Sequence, residues 1–525
     1  MYKIVVCDPI HQSGIDILIE ANDIEYVDAT KIDKIKLLDV LKDADVAITR
    51  SPTEVDANFA SKASNLKAIV RAGVGVDNVD IDACSKEGTI VMNVPTANTI
   101  AATELTMAHM LSCARKFPYA HDQLKNQRIW KREDWYGMEL MGKKLGVIGC
   151  GNIGSGVATR AKAFGMEVTT YDPYIPSSKA TDLDIKYTKD FDDILECDII
   201  TIHTPKNSET INMIDKEQIA KMKDGVILIN CARGGLYNED ALEEGLKSGK
   251  IAMAGIDVFI YEPATDHPLL DLPNITVTAH LGANTKESQN KIATQAANNA
   301  IESARGISYK NALNLPIDES KIPEYVIPYL ELTQKMAYLI AGLDKSAIQS
   351  VKVTAEGDIS EYLDSLKTFV CVGALKQSLG DNINYVNAEF IAEQRSVKLE
   401  ANDTPNNSPY KNMITVSLST QNGSICLKGT VFNDDVYRIV EFNGFDLDIE
   451  PHGKMIVFEN TDVPGVIGEV GKVLGDNDIN IADFRLGRTK EKALTVIVVD
   501  SAVNQDVLNQ LREIKSAISV AYTEI

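Results

Sequence analysis

Short runs of consecutive apolar residues alternate with longer stretches whose apolar positions fall three or four apart over the first 315 residues. The runs lie at 3–7, 46–49, 68–71 and 90–92, and again at 145–148, 168–171, 198–202, 226–229, 254–257 and 275–278. Strands buried on both faces read as continuous apolar runs, so the pattern predicts two parallel sheets with helices between their strands. Two longer helices, expected over 100–115 and 286–305, are placed to cross from the first unit to the second and back. The first unit is then discontinuous, residues 1–97 with 283–314, and 98–282 is inserted into it.

The pattern changes near Asn314-Leu315-Pro316. Residues 315–451 contain strand alternation at 414–418 and a polar loop at 402–409, with no catalytic constellation. Residues 452–525 read as strand 455–458, helix 466–474, strands 479–486 and 493–499, helix 505–514 and strand 519–523. That β-α-β-β-α-β order predicts a ferredoxin-like unit. The expected class is α/β: two Rossmann-like domains, then an α+β domain, then the ferredoxin-like one.

Charge narrows the partners. Lys and Arg total 53 against 75 Asp and Glu, a net −22, which argues against nucleic acid and anionic membrane. An anionic ligand needs a local basic pocket set against this global charge. The eight cysteines, at 7, 84, 113, 150, 197, 231, 371 and 426, show no metal-ligand spacing, so no metal and a reduced, cytoplasmic chain are expected. Residues 2–8 read as a strand and not as a signal peptide, and no apolar run approaches membrane-spanning length.

The stretch Gly149-Cys150-Gly151-Asn152-Ile153-Gly154 carries the first chemistry. It follows an apolar strand, opens a helical segment at 155–164, and is followed by a second strand ending at Asp172. Glycines there permit a tight turn and close approach of backbone to a pyrophosphate at a helix N-terminus. Asp172, 18 residues after Gly154 (172 − 154), is placed to accept hydrogen bonds from a ribose diol and to repel a 2′-phosphate. No Arg or Lys follows until Lys179, so the expected cofactor is NAD and not NADP.

Three later segments set polar groups at the ends of apolar strands, where open α/β sheets bind ligands. They are Ile229-Asn230-Cys231-Ala232-Arg233-Gly234-Gly235, Gly255-Ile256-Asp257-Val258-Phe259 with Glu262-Pro263, and Thr278-Ala279-His280-Leu281-Gly282-Ala283. Taken singly, a histidine at a strand end is more often structural and a glutamate before proline is usually a solvated loop residue. Beside a dinucleotide site they fit the oxidation of a 2-hydroxy acid. His280 would take the hydroxyl proton, Glu262 would accept from its other nitrogen, and Arg233 would hold the carboxylate. Arg50 and Arg71 each end a strand of the first sheet at the same edge, a pair of cations suited to a phosphate.

These motifs, with Arg71-Ala72-Gly73-Val74-Gly75-Val76-Asp77-Asn78, resemble the D-isomer-specific 2-hydroxyacid dehydrogenase family. They most resemble its long branch, which acts on 3-phosphoglycerate and carries an intervening and an ACT domain. The resemblance spans essentially the whole chain and is weaker past residue 315. It implies NAD-dependent oxidation of 3-phospho-D-glycerate to 3-phosphohydroxypyruvate, the first step of L-serine synthesis, by a homotetramer. It implies catalytic roles for Arg233, Glu262 and His280. It implies NAD contacts from Val74, Asn152, Ile153, Asp172, Thr204, Cys231, Ala232, Arg233, Asp257, His280, Gly282 and Ala283. Substrate contacts are implied for Arg50, Arg71 and, more weakly, Asn98, and Lys131-Arg132 could add charge from a neighbouring subunit. In the ACT unit, Asn460, Asp462 and Asn480 match the positions that bind small amino acids, with L-serine the expected effector. The chain departs from serine-binding versions that carry His or Tyr near Asn460. Two rivals remain at this point: a glyoxylate or hydroxypyruvate reductase of the same family, and a nucleotide-sensing regulator without turnover. Arg50 with Arg71 opposes the first, and the intact Arg/Glu/His set opposes the second.

Overall fold

The computed structural model describes residues 1–525 except 175–176, 316–321, 381–382, 406–407 and 434–435. Pro316 at the expected change of pattern, and part of the expected polar loop at 402–409, lie outside the described residues.

The first sheet is parallel, in the order Ile24–Asp28, Tyr2–Val6, Val46–Thr49, Ala68–Arg71, Ile90–Met92. Its inner strands are buried on both faces because helices cover both. The long helix Lys286–Ala304 returns from late in the chain to pack on this sheet and on the helix Gln12–Glu20. Thr285 starts it by accepting the Ser288 N–H. The second sheet is also parallel, in the order Ile275–Val277, Ile251–Ile256, Val226–Asn230, Ile199–Ile202, Lys144–Ile148, Glu167–Tyr171, Lys186–Thr188. The helix Thr99–Arg115 lies against its Val226–Asn230 and Ile251–Ile256 strands. The carboxyl ends of the two sheets face one another across a cleft lined from both sides.

Two edge strands, Ile24–Asp28 and Lys186–Thr188, were not expected. Each mixes exposed and covered residues, and their polar members (Glu25, Asp28, Lys186) hide the short apolar signal that central strands show.

The third sheet has six strands, with Lys398–Thr404 parallel to Ile348–Glu356 and the remaining pairs antiparallel. The helices Ile327–Leu343 and Leu363–Leu379 cover one face. The last sheet is antiparallel, ordered Ile481–Arg488, Lys492–Val499, Lys454–Thr461, Ala517–Glu524, as a ferredoxin-like unit requires. Period-two alternation splits its residues between two cores. Ile456, Phe458 and Ile497 face its own helices Val466–Asp476 and Gln505–Arg512. Met455, Val457 and Val496 join the core of the preceding domain instead. Among the described residues no helix is long and apolar enough to cross a membrane, and no cluster of His, Cys, Asp and Glu is built for a metal.

Candidate active site

The strand Lys144–Ile148 runs into the glycine turn. Gly149 has φ +86°, and a Cβ there would lie 2.7 Å from the His203 carbonyl oxygen. A Cβ on Gly154 would lie 1.9 Å from the Gly149 carbonyl oxygen, so the helix Asn152–Ala163 seats against the turn only without a side chain there. Gly151 caps this helix with no side-chain acceptor, leaving the first-turn N–H groups directed outward, and a Cβ on it would meet nothing within 4 Å. Asp172 lies beside the turn because Tyr171 pairs with Ile148. Its Oδ2 accepts the Cys150 N–H at 2.8 Å and its Oδ1 the Tyr174 N–H at 3.0 Å, which fixes the carboxylate at the helix N-terminus. The Thr204 hydroxyl, just past the strand Ile199–Ile202, is buried without a protein partner. Outward N–H groups, a fixed carboxylate and an unpartnered hydroxyl form a donor set that fits a dinucleotide.

The cleft between the two parallel sheets encloses a cavity of about 490 Å³ that brings together Arg50, Arg71, Asn98, Arg233, Glu262 and His280. A larger cavity of about 670 Å³, beside Phe117, Trp130 and Trp135, holds no acid–base pair, so the chemistry belongs to the smaller one. Lys131 and Arg132 line that larger cavity and not the cleft, and Lys131 pairs with Asp134 at 2.7 Å.

His280 is held from two sides. Its Nδ1 lies 2.8 Å from Glu262 Oε2, and Glu262 Oε1 accepts the Phe259 N–H at 3.0 Å. Burial pushes the Glu262 carboxyl up, but hydrogen bonds from His280 and Phe259 and the Arg233 charge outweigh it and hold the carboxyl below its ordinary range. An ionised carboxylate only accepts, so Nδ1 carries the proton and Nε2 offers its lone pair to the cleft. The His280 backbone, at φ +52°, donates its N–H to the Asp257 carbonyl at 2.9 Å.

Asp257, an expected NAD contact, also has a structural part. It is fully buried, and its carboxylate accepts the Leu281 N–H at 2.7 Å, the Gly282 N–H at 2.9 Å and the Thr278 hydroxyl at 2.5 Å. These bonds tie both oxygens to the loop that carries His280, so Asp257 positions that loop. Thr278 donates to Asp257, so the buried His109 must donate its Nε2 proton to Thr278 at 2.8 Å. Burial lowers the His109 pKa and keeps the ring neutral. His109 was missed, its only signal being a histidine inside an apolar helix, which alone reads as core; Thr278 opened the third strand-end segment but was given no role.

The cations converge from different strands. Thr49 pairs with Arg71, so Arg50 and Arg71 leave adjacent strand ends. Arg50 Nη1 donates to the Pro9 carbonyl at 3.1 Å, and Arg71 Nη2 to Ser51 Oγ at 2.8 Å. The Arg71 Nε is buried and unpartnered. Burial, then the charges of Arg233 and Arg50, push the Arg71 pKa down to about 10, so it remains a cation at neutral pH. Arg233 donates from Nε to Asp77 Oδ2 at 3.0 Å and from Nη1 to the Ala232 carbonyl at 2.7 Å. Asn230 shapes this turn by accepting the Ala232 N–H and donating to the Arg233 carbonyl. Val74 and Ala283 line the cleft, whereas Cys231 and Gly282 are buried behind it. Burial raises the Cys231 thiol, which is therefore not a nucleophile. The Asn98 Oδ1 is buried, lines the cleft and has no protein partner.

In the ferredoxin-like unit, Asn460 and Asp462 line a cavity of about 280 Å³. Arg488 donates to Asp462 Oδ2 from Nε at 2.8 Å and from Nη2 at 2.6 Å. Asn480 is not part of this cavity; it donates to Asp500 Oδ2 at 2.5 Å.

Over their whole lengths the chain is 38% identical to the D-3-phosphoglycerate dehydrogenase of Bacillus subtilis, 530 residues aligned with 100% of both chains covered. The chain belongs to the D-3-phosphoglycerate dehydrogenase family. The namesake from Methanocaldococcus jannaschii is 38% identical with 99% of both chains covered. Three family models match: the NAD binding domain of D-isomer specific 2-hydroxyacid dehydrogenases over 107–282, the D-3-phosphoglycerate dehydrogenase intervening domain over 325–443, and the ACT domain over 454–516. A solved D-lactate dehydrogenase from Aquifex aeolicus, complexed with NAD and lactic acid, aligns with a TM-score of 0.52 at 28% identity, covering 59% of this chain and 98% of that one. The TT0316 protein of Thermus thermophilus aligns at 0.55 and 31%, covering 59% and 99%. The chain is an NAD-dependent dehydrogenase with an appended ACT domain.

Proposed function

We propose that the chain oxidises 3-phospho-D-glycerate to 3-phosphohydroxypyruvate with NAD⁺, opening L-serine synthesis. The observation that carries this reading is the His280–Glu262 pair facing Arg50, Arg71 and Arg233 in one cleft. NAD⁺, when bound, supplies the hydride acceptor. Arg233 binds the substrate carboxylate, and Arg50 with Arg71 binds the phosphate. His280 Nε2 takes the C2 hydroxyl proton, and the ionised Glu262 balances the charge that develops on the ring. The outward N–H groups of Asn152 and Ile153, with Gly149, Gly151 and Gly154 giving access, hold the pyrophosphate, and Asp172 the ribose. In this reading residues 1–97 with 283–314 bind substrate, 98–282 bind NAD, 315–451 intervene and 452–525 regulate. Closure of the cleft on both ligands excludes water.

The test is turnover of 3-phosphoglycerate with NAD⁺ beside unphosphorylated D-glycerate. Strong preference for the phosphorylated acid is expected, and equal kcat/KM on both would sink the phosphate assignment.

The same reading extends to a cytoplasmic homotetramer inhibited by L-serine at the ACT unit. Asn460 and Asp462 share one cavity, and Asn480 would reach its ligand only from a second copy of the chain. L-serine is expected to lower the wild-type rate. Asn460→Ala and Asn480→Ala should each raise the half-inhibitory concentration by about tenfold, the worth of one good hydrogen bond. A variant inhibited at the wild-type concentration removes its residue from the site.

A further inference from the structure

We infer that Asp77 is a positioning residue that aims Arg233 across the interdomain cleft. The inference rests on the dehydrogenase reading above. Asp77 follows the strand Ala68–Arg71 of the first sheet, and Arg233 follows Val226–Asn230 of the second, so their ion pair joins the two halves of the cleft.

A guanidinium is planar, and two acceptors fix its plane. Here Nε is held by Asp77 Oδ2 at 3.0 Å and Nη1 by the Ala232 carbonyl at 2.7 Å. The group also packs closely against the first domain's backbone: a Cβ on Gly75 would sit 2.0 Å from Nη2. Among the described residues Nη2 has no acceptor, and Nη1 keeps a second hydrogen. What remains is a two-pronged fork open to the cavity, the shape that a carboxylate takes in two parallel hydrogen bonds.

Asp77 has a second effect. Arg233, Arg71 and Arg50 repel one another, and Asp77 and Asp8 are anions set among them, with Asp77 the one paired to Arg233. Burial, then the charges on Arg233 and Arg50, lower the Arg71 pKa, while Asp77 and Asp8 raise it. Removing Asp77 therefore frees Arg233 to swing out of line under the push of its neighbours. The pair adds little to fold stability, because Asp77 keeps 58% of its side-chain surface exposed. Its loss should show in substrate binding and leave folding untouched.

The experiment compares wild type, Asp77→Ala and Asp77→Asn in steady-state turnover of 3-phosphoglycerate, with NAD⁺ affinity read by protein fluorescence and stability by Tm. Asp77→Ala is expected to raise KM for 3-phosphoglycerate about tenfold, the worth of one charge-assisted hydrogen bond, with kcat changed less than KM. NAD⁺ affinity and Tm should stay at wild-type values. Asp77→Asn, whose amide oxygen still accepts from Nε, should recover most of the lost affinity. An unchanged KM in Asp77→Ala overturns the inference, and so does a lowered KM, which would make Asp77 a competitor of the substrate. A joint fall in NAD⁺ affinity and Tm overturns it as well, since that marks a structural role. A wild-type enzyme that oxidised another 2-hydroxy acid in place of 3-phosphoglycerate would sink the substrate reading alone, and the same comparison would then be made with that acid.

Discussion

Replacing His280 with alanine is expected to lower kcat by about 10³-fold, within the range for loss of a positioned general base. NAD⁺ affinity should be retained, because the glycine turn, Asp172 and Thr204 lie on other loops of the second sheet. The two quantities separate in one preparation: NADH absorbance gives kcat, and fluorescence quenching gives NAD⁺ affinity. The argument rests on one lone pair. Glu262 is ionised and accepts from Nδ1, so Nε2 is the only basic atom of the ring left to face substrate. Wild-type kcat in His280→Ala would remove it as the base. Glu262→Gln is the companion variant: its amide can still meet Nδ1 but carries no charge to balance the imidazolium. It should lose activity by less than His280→Ala, and an equal loss would give the carboxylate a larger part than orientation and charge balance.

That lone pair depends on residues packed behind the ring. His280 adopts φ +52°, the left-handed region that carries a cost for residues other than glycine, and the buried Asp257 holds it there through the N–H groups of the next two residues. Asp257 was legible in the sequence as a strand-end acid, but its direction was not. A carboxylate that reads as a ligand contact can equally turn inward when the following loop presents two unsatisfied N–H groups. The His109–Thr278 link behind it joins residues 169 apart, and no local spacing could announce it. Central strands were legible because burial on both faces leaves an unbroken apolar run. The edge strands Ile24–Asp28 and Lys186–Thr188 were not, because polar residues break their runs, whereas the edge strands Ile90–Met92 and Ile275–Val277 keep short, mostly apolar runs and were legible. Arg233, Glu262 and His280 were legible as a set because strand ends of one parallel sheet share a face. Asp77 was not, because its partner comes from the other sheet. In the ACT unit, the sequence grouped Asn480 with Asn460 and Asp462 by family pattern, but within one chain only the latter two meet.

Arg71→Ala is expected to raise KM for 3-phosphoglycerate about a hundredfold while leaving kcat/KM for D-glycerate nearly unchanged. Truncating one partner of a buried, hydrogen-bonded charge pair costs about 2–5 kcal/mol, and about 2.7 kcal/mol is a hundredfold. Arg71 meets the conditions for the upper part of that scale better than Arg50 does. Its Nε is buried and unpartnered, and burial together with two neighbouring arginines already strains its charge. A dianionic phosphate would relieve both at once, satisfying the orphaned donor and neutralising the cluster. Arg71 and Arg50 each donate one hydrogen bond already, to Ser51 Oγ and the Pro9 carbonyl, but among the described residues Arg50 has no buried unpartnered nitrogen. Arg50→Ala should therefore raise KM by less, and the two losses should not add, because the arginines share one ligand and repel each other without it. Arg71→Lys keeps the charge but not the fork, so it should restore only part of the affinity. Steady-state kinetics on both acids with all three variants decides the matter. A fall of equal size on D-glycerate would place Arg71 on the carboxylate or in the fold, and would return the phosphate to Arg50 alone.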